Sequence, residues 1–233
     1  MVNPGMIPHG ALSTLGLLLS GGLDSSILLG HLAGQGHRVC PLYIRSGLVW
    51  ECDELRSVRR YLSALSSPAI GDLAILDLPL ADVYGKHWSI TGRGTPDAAS
   101  PDEAVYLPGR NPLLLVKAAI WCHLHQLDCL ALGTLGSNPF ADATDEFFDA
   151  YEAALNRALG GRLRILRPFA GLSKRQVMEL GRGLPLAWTF SCISPLEGRH
   201  CGACNKCAER RAAFTLIGMN DPTHYAAKAS IGQ

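Results

Sequence analysis

The stretch from Leu15 to Ser26 constrains the fold of this chain more than any other feature. It reads Leu-Gly-Leu-Leu-Leu-Ser-Gly-Gly-Leu-Asp-Ser-Ser. The apolar run Leu17–Leu19 predicts a buried parallel strand, and the apolar residues after Ser26 predict a helix. Gly21 and Gly22 permit close approach of a ligand to the backbone, and the first N–H groups of the helix are free. The stretch therefore predicts a phosphate-binding turn, although glycine-rich turns also occur as plain connections.

Two common nucleotide-binding loops are excluded at this turn. It lacks the Gly-Lys-Ser/Thr of a Walker loop, and it lacks the Gly-x-Gly-x-x-Gly of a dinucleotide site. The segment instead resembles the pyrophosphatase loop of the PP-loop ATPases, which adenylate a carboxylate or carbonyl-type oxygen and release pyrophosphate. The resemblance implies that Asp24 helps to place Mg²⁺ on the pyrophosphate. It also implies that seven consecutive residues bind ATP: Ser20, Gly21, Gly22, Leu23, Asp24, Ser25 and Ser26.

The composition is that of an ordinary globular protein. The chain has 233 residues, of which 48% are hydrophobic and 18% charged, and its net charge is +1. This balance gives no electrostatic reason to expect direct nucleic-acid binding or a membrane surface. No apolar run approaches the roughly 20 residues that cross a bilayer. The sequence therefore predicts a cytoplasmic protein with no membrane partner.

Strand and helix patterns alternate along the chain. After the first strand, further strands are predicted at Arg38–Ile44, Leu73–Leu78, Cys129–Gly133 and Leu163–Leu166. After the first helix, further helices are predicted at Glu51–Leu65, Pro112–Leu124, Phe147–Leu159 and Val177–Gly181. Such alternation is typical of an α/β protein with a doubly wound parallel sheet, here of about five strands. We predict this domain over residues 1–185 and a C-terminal segment, packed on it, over residues 186–233.

The longest connection runs from Ala81 to Leu107. It is rich in glycine, proline and aspartate, and it has little periodicity. Because plain connections are shorter, we expect either a lid or a disordered loop.

Polar residues at helix starts are the next candidates for a site. Arg110 and Asn111 precede a predicted helix, where they are either a surface arginine and a cap or a pair facing the crevice above the strand ends. Asp142 and Asp145 follow the fourth predicted strand, where they either complement a helix dipole or touch substrate or metal. Lys174 lies at the exposed start of a helix that opens with a capping-box pattern.

Four cysteines form the second strong signal. Cys192, Cys201, Cys204 and Cys207 have the spacing C-x8-C-x2-C-x2-C. Four thiolates suit a tetrahedral structural zinc site with no open position for water. Two disulfides or an iron–sulfur cluster are the alternatives, and a cytosolic location disfavours the disulfides. The other four cysteines lie in apolar segments and are interpreted as buried thiols: Cys40, Cys52, Cys122 and Cys129.

Taken together, these features resemble the 7-cyano-7-deazaguanine synthase family over nearly the whole chain. Besides the first loop, the matching features are Gly109-Arg110-Asn111, the Pro168 segment with Lys174, and the cysteine cluster followed by Arg210-Arg211-Ala-Ala-Phe214. The resemblance implies a PP-loop (HUP-like, adenine nucleotide alpha hydrolase type) fold. It also implies an ATP-dependent carbon–nitrogen ligase that forms AMP and pyrophosphate. Such enzymes convert 7-carboxy-7-deazaguanine and ammonia to the amide and then to the nitrile, in the synthesis of queuosine and archaeosine precursors.

The resemblance also assigns residues and cofactors. Its cofactors are ATP, Mg²⁺ and Zn²⁺, its substrates are a deazapurine carboxylate and ammonia, and a homodimer is possible. The catalytic residues are expected to be Asp24, Arg110 and Lys174. The zinc ligands are expected to be the four clustered cysteines. The substrate-binding residues are expected on the loops at neighbouring strand ends, with Phe140 available to stack on a purine: Tyr43, Arg45, Asn111, Phe140, Asp142 and Asp145.

Two loops depart from the family pattern. Tyr43–Glu51 replaces a tyrosine-glutamine-arginine-histidine type segment, and Thr144 stands where the family has an arginine in the loop 138–145. These departures leave a second hypothesis open. It is a paralogue that acts on a different carboxylate or on a deazaguanine-linked macromolecule, or that serves as the nucleotide-binding component of a larger assembly.

Overall fold

The first strand of the chain lies in the middle of a five-stranded parallel sheet. A computed structural model describes residues 12–226. Residues 1–11 of the predicted sheet domain and residues 227–233 of the predicted C-terminal segment lie outside that range. The strands are β1 (Thr14–Leu18), β2 (Arg38–Arg45), β3 (Ala74–Asp77), β4 (Cys129–Ala131) and β5 (Arg164–Leu166). Their order is β3-β2-β1-β4-β5, and all four pairings are parallel. The chain thus winds outward from β1 in both directions, which confirms the predicted doubly wound sheet.

Helices follow the strands and cover the two faces of the sheet. They are α1 (Leu23–Gly34), α2 (Glu51–Leu65), α3 (Ala81–Tyr84), α4 (Trp88–Thr91), α5 (Arg110–Leu124), α6 (Asp145–Leu159), α7 (Lys174–Leu180) and α8 (Asn205–Leu216). The predicted bounds of α2 are confirmed. The predicted capping box is confirmed at α7, where Ser173 N donates to Gln176 Oε1 (2.8 Å) and Gln176 N donates to Ser173 Oγ (3.4 Å). Because this cap is complete, α7 begins at Lys174, earlier than the apolar pattern alone predicts.

Apolar residues on β1 face both layers of helices. Leu15 and Leu17 are fully buried in a cluster with α1, α7 and α8, whereas Leu18 packs against a cluster built by α5 and α6. Gly16 lets α5 approach the sheet, because a Cβ there would lie only 2.6 Å from the Sγ of Cys122. Burial on both faces explains why β1 is a continuous apolar run.

Within the described residues, no helix is long and apolar enough to span a membrane.

The segment from Ala81 to Leu107 is folded rather than disordered. It contains α3, α4 and a short 3-10 turn at Asp102–Val105. Its apolar side chains, among them Val105 and Leu107, join a third buried cluster with the four cysteines of the C-terminal segment. A periodicity analysis misses these elements because each is only about one turn long.

The C-terminal segment shares the core of the sheet domain. Ala213 and Phe214 of α8 are buried in the same cluster as β1 and α1. The division at residue 185/186 stays a prediction, and it falls just before a 3-10 turn at Leu186–Trp188.

Candidate active site and cysteine centre

The loop between β1 and α1 is shaped by its two glycines. Gly21 has φ +76°, and Gly22 caps α1 with extended dihedrals (φ −69°, ψ 172°) and no side-chain cap. A Cβ at Gly21 would lie 2.8 Å from Val58 Cγ2, so the chain turns here directly against α2. The first N–H groups of an uncapped helix start are available to an anion. The predicted turn between β1 and α1 is therefore present in the fold, and phosphate binding at it stays a prediction.

The serines of this loop differ in their surroundings. Ser20 Oγ and Ser25 Oγ lie 3.0 Å apart, and Ser20 N donates to Ser25 Oγ (3.2 Å). Ser26 is fully buried, and its Oγ has no hydrogen-bond partner among residues 12–226. Leu23 belongs to the apolar core. The hydroxyls of Ser20 and Ser25 are thus available to an anion, whereas the side chain of Leu23 is not.

Two of the predicted catalytic residues meet across the site. Lys174 Nζ donates to both carboxylate oxygens of Asp24, at 2.8 and 2.9 Å, and lies 3.6 Å from Glu209 Oε1. Burial by itself would lower the pKa of Lys174, but the charges of Asp24 and Glu209 more than offset this and the pKa is raised. Lys174 is therefore a fixed positive charge at the start of α1.

Gly133, just beyond β4, allows the strand end to press against this pair. A Cβ at Gly133 would lie 2.9 Å from the carbonyl carbon of Asp24 and 3.0 Å from Ser25 N. Both atoms belong to the backbone and cannot move aside cheaply. The position therefore requires glycine.

Arg110 is the first residue of α5. It follows the N-cap residue Gly109, which has φ +73° and provides no side-chain cap. Its Nε is buried and has no hydrogen-bond partner in the described part of the chain. Burial raises the pKa of Glu54 of α2 and of Tyr43 of β2, and the nearby charge of Arg110 partly opposes both shifts. A guanidinium with a buried, unpaired N–H is suited to receive an anionic group of a ligand.

Tyr43 is only 2% exposed. Its hydroxyl donates to Glu54 Oε2 (2.7 Å) and lies 3.4 Å from the carbonyl oxygen of Glu51. The side chain of Tyr43 thus holds the Glu54 carboxylate in place through a hydrogen bond. Glu54 in turn borders the loop 19–22 between β1 and α1, which we call the nucleotide loop, since a Cβ at Gly21 would lie 3.3 Å from Glu54 Cγ.

Burial raises the pKa of Glu54 to about 7, against the opposing effects of Arg110 and Tyr43. Because the pKa of the unfolded chain is lower, ionisation of Glu54 reduces stability as the pH rises towards neutrality. Relative to wild type, the free energy of unfolding of Glu54→Gln should therefore rise by about 2 kcal/mol between pH 5.5 and pH 8. Urea unfolding across this range measures it, with the exposed Glu146→Gln as the control. If the free energy of unfolding of Glu54→Gln relative to wild type does not change with pH, the raised pKa of Glu54 is contradicted.

Asn111 and Asp142 bind each other. The backbone N–H of Asn111 donates to Asp142 Oδ2 (3.2 Å), and its Nδ2 donates to the Asp142 carbonyl oxygen (2.9 Å) and to Oδ1 (3.3 Å). Asp142 is buried, and the nearby ring of Phe140 packs on Tyr106 with a centroid distance of 4.8 Å. These residues form one polar pair beside an aromatic pair, next to Arg110.

Arg45 and Asp145 form ion pairs with residues outside the predicted site. Arg45 pairs with Glu51 and with Asp77, both at 3.3 Å. Asp145 pairs with the buried Arg167 at 2.5 Å. Among the described residues, no ion pair or hydrogen bond joins either of them to the Asp24–Lys174 pair. Their part in substrate binding stays a prediction.

The four cysteine sulfurs form one compact group. Their Sγ atoms all lie within 4.8 Å of one another, with Cys192–Cys204 at 3.9 Å and Cys201–Cys207 at 4.0 Å. The edge of a tetrahedral zinc–thiolate site with bonds of about 2.3 Å is about 3.8 Å. The four cysteines are free thiols, and these separations exclude disulfides of about 2.05 Å. The donor set and its size therefore fit a single structural zinc ion.

Backbone N–H groups stabilise thiolates in this cluster. Cys201 N donates to Cys192 Sγ (3.2 Å), and Cys204 N donates to Cys201 Sγ (3.3 Å). His200 lies outside the group, because its Nε2 accepts from Ser191 N (3.1 Å). Burial, with the charge of Arg210, lowers the pKa of His200 to about 4. His200 is thus a neutral structural residue.

The cysteine segment also binds the folded connection described above. Ala98 N donates to the Ala203 carbonyl oxygen (2.8 Å), Asn205 N donates to the Pro96 carbonyl oxygen (3.1 Å), and Asn205 Nδ2 donates to the Ser100 carbonyl oxygen (2.8 Å). The cysteine cluster therefore fixes residues 96–100 to the start of α8.

Sequence reasoning missed Glu54 and Glu209. A signal for Glu54 was present, because Glu54, Val58 and Tyr61 recur on one face of α2 and the latter two are fully buried. A carboxylate on an apolar face is costly unless it is paired, so its presence there indicates a partner or a function. Glu209 carried no such signal, since its partner Lys174 lies on another helix.

Comparisons with known proteins identify related chains. The profile of the family described as "Queuosine biosynthesis protein QueC" matches residues 15–218. The 7-cyano-7-deazaguanine synthase 1 of Desulfitobacterium hafniense is 32% identical over 205 residues, covering 86% of this chain and 90% of that protein. The 7-cyano-7-deazaguanine synthase of Cupriavidus necator is 31% identical over 225 residues, covering 91% and 97%.

One solved structure has a similar fold. It is a 4-thiouridine synthetase–RNA complex with bound ATP, with a TM-score of 0.50 at 16% identity, covering 88% of this chain and 50% of that one. At this identity, the likeness concerns the fold alone.

Proposed function

Because the chain belongs to the QueC family of queuosine biosynthesis proteins, we propose that it is an ATP-dependent 7-cyano-7-deazaguanine synthase. It would convert 7-carboxy-7-deazaguanine and ammonia to the nitrile, with ATP cleaved to AMP and pyrophosphate. The observation that carries the proposal is the convergence of Asp24, Lys174 and the uncapped start of α1 at one loop.

The chemistry has two adenylation steps. The acceptor carboxylate attacks the α-phosphorus of ATP and pyrophosphate leaves, after which ammonia attacks the carbonyl carbon and AMP leaves to give the amide. The amide oxygen then attacks the α-phosphorus of a second ATP and pyrophosphate leaves, after which loss of two protons and of AMP gives the nitrile. Each adenylation develops negative charge on pyrophosphate, which positive groups and backbone N–H groups stabilise.

The loop residues suit that task. The N–H groups at the start of α1 and the hydroxyls of Ser20 and Ser25 would bind the pyrophosphate. Asp24 would hold Mg²⁺, which neutralises charge on the phosphates. Lys174 would face the same oxygens. Zinc at the four cysteines would be structural, since thiolates fill every ligand position.

The acceptor would lie on the side of Arg110. A deazaguanine presents ring and amino N–H groups, which the Asp142 carboxylate can accept, and a flat face, on which Phe140 can stack. The unpaired Nε of Arg110 would bind the carboxylate or the developing charge at phosphorus. Asn111 would hold Asp142 in place through its three hydrogen bonds.

The test is an assay of the pure protein with Mg²⁺, ATP, ammonium and 7-carboxy-7-deazaguanine. We expect AMP, pyrophosphate and the nitrile, identified by mass spectrometry. Omitting ammonium should stop nitrile formation, and benzoate serves as an unrelated carboxylate. Formation of AMP with another carboxylate but not with the deazaguanine would favour the paralogue hypothesis that the departures at 43–51 and 138–145 leave open.

A further inference from the structure

Helix α8 connects the cysteine cluster to the nucleotide loop. The helix begins directly after Cys204, and Cys207 lies in its first turn. Glu209, in its second turn, lies with its Oε1 3.6 Å from Lys174 Nζ and with its Oε2 2.6 Å from Lys206 Nζ. One carboxylate oxygen is thus held by a neighbour on the same helix, while the other faces the lysine of the site.

Lys174 therefore has two carboxylate partners. Asp24 is the nearer, at 2.8 Å, and Glu209 is the more distant, at 3.6 Å. The side chain of Lys174 is largely buried, so an ammonium without a partner would be costly here.

The two carboxylates differ in the other interactions that each one makes. In the proposed reaction Asp24 binds Mg²⁺, and a carboxylate that coordinates a cation gives weaker compensation to a neighbouring ammonium. Glu209 has no such competing task, and Lys206 holds it in place. Glu209 is therefore positioned to keep Lys174 at the loop when Asp24 turns to the metal.

We propose that Glu209 is a positioning residue that holds Lys174 against the nucleotide when Asp24 binds Mg²⁺. The proposal rests on the proposed function for the roles of Asp24 and Lys174. It adds a role for α8, whose start carries two of the four clustered cysteines and whose second turn aligns a charge of the ATP site.

The test measures binding of an α,β-methylene analogue of ATP to Glu209→Gln by calorimetry, with and without Mg²⁺. Without Mg²⁺, Asp24 still holds Lys174, so affinity should stay within about twofold of wild type. With Mg²⁺, affinity should fall by roughly 10-fold or more, because a misplaced charge is a poor partner for the phosphates. Glu209→Asp should recover part of the loss. Glu197→Gln, in the same segment and 82% exposed, is the matched control and should behave as wild type.

Two further measurements separate positioning from stability. Zinc content and thermal unfolding of Glu209→Gln should match those of Glu197→Gln. An equal loss of affinity with and without Mg²⁺, no loss at all, or a loss of zinc would overturn the proposal. Failure of the proposed function has a different signature, since wild type itself would then bind no analogue or would form no AMP with any acceptor.

Discussion

Asp24→Asn should abolish ATP cleavage, with a loss of roughly 10³-fold or more. The substitution removes the carboxylate that would hold Mg²⁺ and leaves Lys174 without its nearest negative partner. It changes little volume, and Asp24 is partly exposed, so the fold should be retained. Release of AMP and pyrophosphate measures the effect, and circular dichroism checks the fold.

The control for this substitution is Asp149→Asn, an exposed carboxylate on α6. It makes the same chemical change and should leave turnover unchanged. Retention of activity in Asp24→Asn would refute the metal-binding role of Asp24. Release of ADP and phosphate by wild type would instead refute adenylation.

Among the substitutions described here, Cys207→Ala should reduce the free energy of unfolding most. Its side chain is fully buried among the other three thiols, and coordination of a structural zinc contributes about 10–16 kcal/mol in small zinc domains. Loss of one thiolate should release the metal and open the C-terminal segment. Because residues 96–100 bind that segment, they should become accessible to protease as well.

Elemental analysis and limited proteolysis measure these effects. Wild type should contain one zinc per chain, and Cys207→Ala should contain none. The interpretation of Cys52 as a buried thiol is wrong, because its side chain is exposed near the start of α2. Cys52→Ala, outside the cluster, is therefore the control and should retain both zinc and stability. Iron in the wild-type protein, or an unchanged melting temperature without metal, would contradict the zinc assignment.

The features that could be predicted from the sequence are those encoded locally. The β1–α1 turn, the bounds of α2 and the capping box at Ser173 each depend on residues close together in the chain. The cysteine spacing indicated one metal site for the same reason. Such signals need no knowledge of tertiary structure.

Long-range pairings could not be predicted in this way. The ion pair of Lys174 with Asp24 joins residues 150 positions apart. Trp50, in the predicted substrate loop 43–51, is buried against Trp88, with ring centroids 5.8 Å apart. No spacing rule brings together Trp50, at the cap of α2, and Trp88, the first residue of α4. The folded state of the connection 81–107 was hidden likewise, because its apolar residues have a partner only once the cysteine segment is in place.

The central position of β1 has a consequence for synthesis of the chain on the ribosome. One neighbour, β2, follows β1 closely, but the other neighbour, β4, is made only after more than half of the chain. Until β4 emerges, the nascent sheet has an unpaired apolar edge at β1, which can pair with other chains. The β1–α1 loop is thus translated well before its site is completed, since Lys174 and Glu209 emerge later than β4.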